Sequence, residues 1–128
     1  MPSRKIEDAD PILQSAWKVS KEAYELNYPD DPQPFITCTH RTNEEQADLY
    51  AQGRTKSGKI VTQIKKGGKH NQYPSKAIDI AFKKKDGTLD WSESNFAKFA
   101  ALISTFDRRV EWGGSWRKFK DLPHFQIP

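Results

Sequence analysis

The end of the chain carries a carboxylate and a histidine at a spacing that suits hydrolytic chemistry. Asp121 precedes His124 by three residues, shortly after the glycine pair Gly113-Gly114. In a metal hydrolase, an imidazole nitrogen can hold the metal while a nearby carboxylate takes a proton from water. A metal needs more than one ligand, so this pair predicts a hydrolytic centre only if further ligands come from elsewhere in the chain.

Two candidate ligands stand in the middle of the chain. His70 lies in a polar segment, and eight residues separate it from Asp79, which lies in an apolar, strand-like run. Alternation along a strand would place Ile78 and Ile80 on one face and Asp79 on the other. A buried or half-buried carboxylate needs a cationic partner, and this strand alone leaves a salt bridge and a metal both open. Two histidines and one aspartate would leave one position of a zinc ion free for water, as a catalytic site requires.

Local signals predict the elements that must position these groups. Asp10-Pro11 is typical of a helix start, and Thr42 with Glu45 forms a capping box for a second helix that should stop at Gly53. A third helix should follow Asp90. Strands are predicted at 35–40, 60–64, 77–82, 110–112 and 124–127. The apolar stripes expected to face the core are Leu13, Ala16, Trp17, Ser20 and Tyr24 in the first helix, and Phe96, Phe99, Ala100, Ile103 and Phe106 in the third.

Composition limits the class of protein and its partners. A chain of 128 residues with four Trp, four Tyr and seven Phe predicts a single globular domain, 1–128. The net charge of +4 suits an anionic partner, and charge alone does not choose among nucleic acid, acidic lipid and the bacterial wall. We do not expect nucleic acid as the partner, because the lysines fall in loops without the pattern of a recognition helix. The sequence contains no apolar stretch of the kind that inserts into a membrane or forms a secretory signal peptide, so we expect synthesis in the cytosol.

Three residues at the end of the strand predicted at 35–40 could carry chemistry of their own. Cys38 is the only cysteine, and we interpret it as a small buried residue and not as a nucleophile. His40 has no assigned role. Arg41 stands at a junction of strand and helix, from which its side chain can reach a cleft, although a solvated surface charge is the ordinary alternative.

Together these residues resemble the zinc D,D- and L,D-peptidases of the LAS superfamily, which includes D-alanyl-D-alanine carboxypeptidases, dipeptidases and phage L-alanyl-D-glutamate endolysins. The resemblance covers residues 35–126. It implies an α+β fold, with a small antiparallel sheet and flanking helices like those of hedgehog and D,D-peptidase domains. Its most specific parts are Arg41-Thr42-x-x-Glu45-Gln46, the segment from His70 to Asp79, and Trp112-Gly113-Gly114-x-Trp116 leading to Asp121-x-Pro123-His124-Phe125.

The resemblance also implies a role for each candidate residue. His70, Asp79 and His124 would bind zinc, and Asp121 would be the general base. Arg41 would contact the substrate or the developing oxyanion. In this arrangement zinc lowers the pKa of water to about 7, and Asp121 removes its proton and later passes that proton to the leaving amine.

Departures from the family pattern bear on the substrate. Pro74-Ser75 stand where a glycine is common, and Gly68 replaces a serine that could contact the substrate. The base is Asp121, whereas carboxypeptidases and dipeptidases tend to use glutamate, so the chain looks more like the L-alanyl-D-glutamate endolysins. We therefore predict hydrolysis of the L-Ala–D-Glu bond in peptidoglycan. The alternatives are a D-alanyl-D-alanine carboxypeptidase of the same fold and a non-catalytic module that binds wall peptides.

The expected partner is the peptide of bacterial peptidoglycan, and the expected oligomeric state is a monomer. A protein that is made in the cytosol without a signal peptide and acts on the cell wall fits a phage lysin, and a host enzyme exported by another route is the alternative. Such an enzyme would reach the wall through phage-driven lesions in the host membrane.

Overall fold

The computed structural model describes residues 1–128 and contains a four-stranded antiparallel sheet. The order of the strands across the sheet is β1-β2-β4-β3, so the last strand of the chain lies inside the sheet. The predicted α+β class with a small antiparallel sheet is confirmed. The strands are β1 (Gln33–Cys38), β2 (Ala77–Lys83), β3 (Glu111–Trp112) and β4 (His124–Gln126).

The helices begin where the capping signals predict. Helix α1 (Pro11–Asn27) has Asp10 as its N-cap, and the Asp10 carboxylate accepts a hydrogen bond from the Ile12 amide at 2.9 Å. The capping box of Thr42 and Glu45 opens helix α2 (Asn43–Ala51). Helix α3 (Glu93–Phe106) is the third. None of these helices combines the length and the apolar character needed to span a membrane.

One face of the sheet and helices α1 and α3 share the hydrophobic core. The apolar stripes of both helices pack with Ile78, Ile80 and Phe125 of the sheet. The prediction for Phe106 is wrong, because this last residue of α3 is 47% exposed and Ile103, one turn earlier, is the last residue of the stripe that reaches the core. This arrangement leaves the opposite face of the sheet for polar groups.

The predicted strand at 60–64 is also wrong, because these residues form an irregular segment. Side chains satisfy its backbone where a neighbouring strand would otherwise do so. The Thr62 hydroxyl accepts from the Ile64 amide at 3.1 Å, and the Gln46 side chain donates to the Ile64 carbonyl at 2.6 Å. The segment is therefore attached to helix α2 and not to the sheet.

The register of the sheet aligns polar residues in two cross-strand rows. In the first row, Asp79 of β2 is paired with Cys38 of β1 and with His124 of β4. In the second row, Gln126 of β4 is paired with Ala77 of β2 and with Glu111 of β3. Residues two positions apart on a strand point to the same face, so both rows lie on the face away from the core.

Candidate active site

Five residues from four parts of the chain line one cleft of about 330 Å³. Asp79 and His124 come from neighbouring strands, and His70 comes from the short 3₁₀ turn Lys69–Asn71. Arg41 follows β1, and its amide donates to the His70 carbonyl at 2.8 Å, which ties the two segments together. Asp121 comes from the loop before β4. All five site residues that the sequence suggested therefore lie in the same place.

The hydrogen bonds of His70 fix which of its nitrogens faces Asp79. His70 is buried, and its Nδ1 lies 2.7 Å from the Thr39 carbonyl oxygen. Because a carbonyl can only accept, Nδ1 carries the proton and donates it. In the neutral ring, Nε2 then presents a lone pair to Asp79 Oδ1 at 3.1 Å. The carboxylate also offers only lone pairs, so a cation is required between the two atoms, either a proton on the ring or a metal.

His124 approaches the same carboxylate oxygen from the other side. Its Nδ1 lies 3.3 Å from Asp79 Oδ1, and its Nε2 lies 2.8 Å from the side-chain oxygen of Gln126. The imidazole rings of His70 and His124 meet edge to face, with 5.2 Å between their centroids. One oxygen of Asp79 is thus shared by nitrogen atoms of two histidines.

Charge pairing dominates the electrostatics of this group. Burial alone would lower the pKa of His70, but the Asp79 carboxylate beside it raises that pKa to about 10. Burial alone would raise the pKa of Asp79, but His70 and His124 hold it well below its usual range. Asp79 is therefore ionised at any ordinary pH, as a metal ligand must be.

The spacing of these atoms fits a tetrahedral metal. Nitrogen and oxygen ligands bind zinc at about 2.0–2.2 Å, which places neighbouring ligand atoms of a tetrahedron about 3.3–3.5 Å apart. The two nitrogen-to-oxygen distances are 3.1 and 3.3 Å. Each imidazole therefore stands at ligand spacing from the Asp79 oxygen. His124 is outside the set of residues whose ligand atoms all lie within 4.8 Å of one another, so the two histidines would have to move closer together to share an ion.

The thiol of Cys38 also lies close to the site. Cys38, His70 and Asp79 offer ligand atoms that lie within 4.8 Å of one another. The residue is buried, as the sequence interpretation expected, but its thiol lies 3.8 Å from His70 Nδ1 and 3.5 Å from an Arg41 nitrogen. Since His70 Nδ1 already donates to the Thr39 carbonyl, that nitrogen has no lone pair for a metal beside the thiol.

Arg41 reaches into the cleft and is not a solvated surface charge, since its side chain is only 13% exposed. One guanidinium nitrogen lies 3.8 Å from Asp79 Oδ2, and another donates to the Gln46 side-chain oxygen at 2.7 Å. Gln46 is itself buried and is bonded to the segment at 60–64. The sequence alone indicates no function for Gln46. The available signal was a polar residue on the inner side of helix α2.

Asp121 stands at the open side of the cleft, where its side chain is about half exposed. Its Oδ2 lies 3.9 Å from His124 Nδ1. Burial raises the pKa of Asp121, and the like charge of Asp79 raises it further, against the opposing effect of His124. Two backbone hydrogen bonds fix the loop, one from the Asp121 amide to the Gly113 carbonyl and one from the His124 amide to the Asp121 carbonyl, each 3.1 Å long.

His40 lies apart from the site residues. Its ring packs edge-on against Tyr73, with 5.1 Å between centroids, and it is not among the residues that line the cleft. Trp116 does line the cleft, and its ring lies 5.4 Å from that of His124.

Two known proteins are similar to this chain in sequence or in fold. The Bacillus subtilis peptidoglycan L-alanyl-D-glutamate endopeptidase CwlK is 39% identical over 101 residues, which cover 72% of this chain and 59% of that protein. The fold matches that of the Serratia marcescens L-Ala D-Glu endopeptidase ChiX with a TM-score of 0.71 at 22% identity, covering 100% of this chain and 89% of that one.

The family comparison covers the part of the chain that holds most of the site. Residues 69–127 match the sequence model of a family described as D-alanyl-D-alanine carboxypeptidase. This range includes both histidines and both aspartates of the cleft. The chain is therefore similar to this family over the part that holds the site, and its similarity to CwlK extends over 101 residues.

Proposed function

We propose that this chain is a zinc-dependent peptidase that hydrolyses the L-Ala–D-Glu bond of peptidoglycan stem peptides. The observation that carries the proposal is the convergence of two imidazole nitrogens on one oxygen of Asp79, with the second carboxylate of Asp121 beside His124. The names of the two relatives support this bond as the substrate. Peptidoglycan as the substrate makes the cell wall the proposed place of action.

The similarity to this family implies a metal, and we assign its ligands to His70, Asp79 and His124. His70 would bind through Nε2 and His124 through Nδ1, because the other nitrogen of each ring is hydrogen-bonded to an acceptor. When bound, zinc supplies a Lewis acid that polarises the scissile carbonyl and lowers the pKa of water to about 7. The alternative set, in which Cys38 replaces His124, would leave one of the two nitrogens beside Asp79 unused.

Asp121 is the proposed general base. Its carboxylate is open to the cleft and lies on the His124 side of the ligand cluster, where it can accept a proton from the attacking water. It then returns this proton to the leaving nitrogen of D-Glu, which cannot depart as an amide anion. The raised pKa of Asp121 suits the first step, because it strengthens the carboxylate as a proton acceptor.

Arg41 is the proposed partner of the developing oxyanion. Its guanidinium lies beside Asp79 and is held from behind by the buried oxygen of Gln46. A cation that is already oriented stabilises charge without reorganising during the reaction. The segment at 60–64 forms part of the cleft wall, and Gln46 joins this wall to the arginine.

A D-alanyl-D-alanine carboxypeptidase is the second candidate, because the description of the matching family names that activity. The two activities leave different products. The endopeptidase would expose L-alanine carboxyl ends on the glycan and D-glutamate amines on released peptides, whereas the carboxypeptidase would release free D-alanine.

Mass spectrometry of digested peptidoglycan tests the proposal. We expect new L-Ala carboxyl ends and little free D-alanine from the parent protein loaded with zinc. The Asp121→Asn variant should keep its zinc and lose turnover by about 10²–10⁴-fold, because an amide cannot accept the proton. Asp30→Asn is a matched control, since the Asp30 side chain is 90% exposed and lies outside the cleft.

The outcomes separate the candidates. Free D-alanine as the main product would favour the carboxypeptidase, and binding of wall peptides without any product would favour a non-catalytic module. Activity of Asp121→Asn within tenfold of the parent would remove Asp121 from the role of base. The monomeric state and the phage-driven release stay predictions from the sequence.

A further inference from the structure

A metal ligand must present a lone pair, so the position of the proton on His124 matters. A neutral imidazole carries its proton on either nitrogen, and the two tautomers have similar energies unless a neighbour selects one. The nitrogen that faces Asp79 is Nδ1, at 3.3 Å. Only the tautomer with the proton on Nε2 leaves Nδ1 free for a metal.

Gln126 can select this tautomer because its own amide has a fixed direction. The side-chain nitrogen of Gln126 donates to Glu111 Oε2 at 3.1 Å. A flipped amide would place its oxygen against the carboxylate, where two acceptors would repel each other. The Gln126 oxygen therefore faces His124 Nε2 at 2.8 Å and accepts a hydrogen bond from it.

Glu111 is held on its other side as well. Its Oε1 accepts a hydrogen bond from the Trp116 indole at 3.1 Å, and the Trp116 ring lies 5.4 Å from that of His124. The sheet supplies the alignment, because Glu111 and Gln126 are cross-strand partners and Gln126 follows His124 by two positions on the same face. The chain of contacts thus runs from Trp116 through Glu111 and Gln126 to His124.

We propose that Glu111 and Gln126 are positioning residues that hold His124 with its proton on Nε2 and so keep Nδ1 available for the metal. This inference rests on the proposed metal site. His70 is fixed differently, because its Nδ1 donates to the main-chain carbonyl of Thr39, which no substitution removes. Of the two histidines, His124 is therefore the one whose ligand atom depends on side chains that can be changed.

Three variants test this chain of contacts. Gln126→Met keeps the length of the side chain and removes the acceptor, which leaves the Asp79 carboxylate to draw the proton of His124 onto Nδ1. Loss of such an outer-shell partner typically weakens metal affinity about 10–100-fold. Glu111→Gln lets the two neighbouring amides flip together, so we expect an intermediate loss. In the double variant E111Q/Q126E, the introduced amide can donate to the introduced carboxylate, which again accepts from His124 Nε2, so zinc affinity should recover.

Two readouts separate positioning from a merely structural role. Zinc affinity is measured by competition with a chelator, and the tautomer is read from two-bond ¹⁵N–¹H spectra, which are simple because the chain has three histidines. The spectra are recorded without zinc, where the Gln126 oxygen and the Asp79 carboxylate compete for the ring proton, and Q126M should shift His124 toward the Nδ1-protonated form relative to the parent. Gln33→Met is a matched control, because Gln33 is also a hydrogen-bonded strand residue but does not line the cleft.

Unchanged zinc affinity and an unchanged tautomer in Q126M would overturn the inference. Failure of E111Q/Q126E to recover more affinity than Q126M would overturn it as well. A parent protein that binds no zinc would instead refute the proposed metal site, so the two failures can be told apart. If Q126M does not fold, the double variant and E111Q still decide the question, since both keep the size of every side chain.

Discussion

Gly113 is the position at which a single methyl group should disable the site without changing any of its side chains. A Cβ at Gly113 would overlap the Asp121 carbonyl oxygen and lie 3.0 Å from Asp121 Cβ. Gly113 does not have a positive φ, so the expected effect of Gly113→Ala is steric and not conformational. The loop that carries Asp121 must move away from β3.

The size of the effect follows from this overlap. Restoring an ordinary contact requires a shift of about 1 Å, since a Cβ in van der Waals contact lies 3.4–4 Å from its neighbour. A misplacement of this size at a reacting group can cost about 10²-fold in rate. Overpacking of this kind typically costs about 1–3 kcal/mol in the free energy of unfolding. We therefore expect kcat/KM to fall about 100-fold while the protein stays folded.

The assay compares kcat/KM on peptidoglycan with zinc content and melting temperature. Gly87→Ala is the control, because Gly87 has φ +89° in a turn remote from the cleft and no atom within 4 Å of the added carbon. Alanine there costs about 1–2 kcal/mol of backbone strain and should leave activity unchanged. A Gly113→Ala variant with kcat/KM within threefold of the parent would refute the position we assign to Asp121.

Three further predictions concern the other side of the cleft and the metal. Arg41→Lys should lower kcat/KM at least about tenfold at unchanged zinc content, because an ammonium group lacks the planar fork that can bond Gln46 and face the cleft together; unchanged kinetics would contradict the role of Arg41. Gln46→Leu should lower kcat/KM similarly, since it frees both the arginine and the segment at 60–64, and increased proteolysis in that segment would report the release. Zinc affinity should rise about tenfold per pH unit from pH 6 to 8, because zinc must displace a proton from His70, whose pKa is raised to about 10 beside Asp79. A zinc affinity that levels off above pH 7 would instead indicate a histidine with an ordinary pKa.

The same proton should make the stability of the metal-free protein fall with rising pH, whereas zinc affinity rises with pH. The pKa of His70 is raised above its ordinary value of 6.5 in the folded state. The unfolded chain therefore binds fewer protons above pH 6.5, and stability from the His70–Asp79 pair falls as pH rises from about 6.5 through about 10. Thermal unfolding of the metal-free protein at pH 6, 8 and 9.5 measures this, and a melting temperature that rises over this range would contradict it.

The sequence predicts the parts of this fold that local chemistry decides. The Asp10 cap and the capping box of Thr42 act over a few residues, so both helix starts are visible in the chain. Alternation in β2 likewise places Asp79 opposite the core side chains, before any partner strand is known. These features depend on neighbours in sequence, and the structure confirms them.

Features that depend on register or on distant partners were not predictable in this way. The pairing of Glu111 with Gln126 exists only because β3 and β4 meet in one particular register. The segment at 60–64 has β-branched residues typical of a strand, but Thr62 and Gln46 satisfy the backbone groups of Ile64 in place of a neighbouring strand. The role of Gln46 could not be predicted either, because it depends on contacts with residues that are distant in sequence.

Anomalous diffraction at the zinc absorption edge, from crystals grown with zinc, tests the central claim most directly. We predict one strong peak within about 2.0–2.2 Å of His70 Nε2, Asp79 and His124 Nδ1, with the Cys38 sulfur beyond bonding distance. A peak bonded to Cys38, with His124 left outside the coordination sphere, would contradict the assignment of the metal ligands.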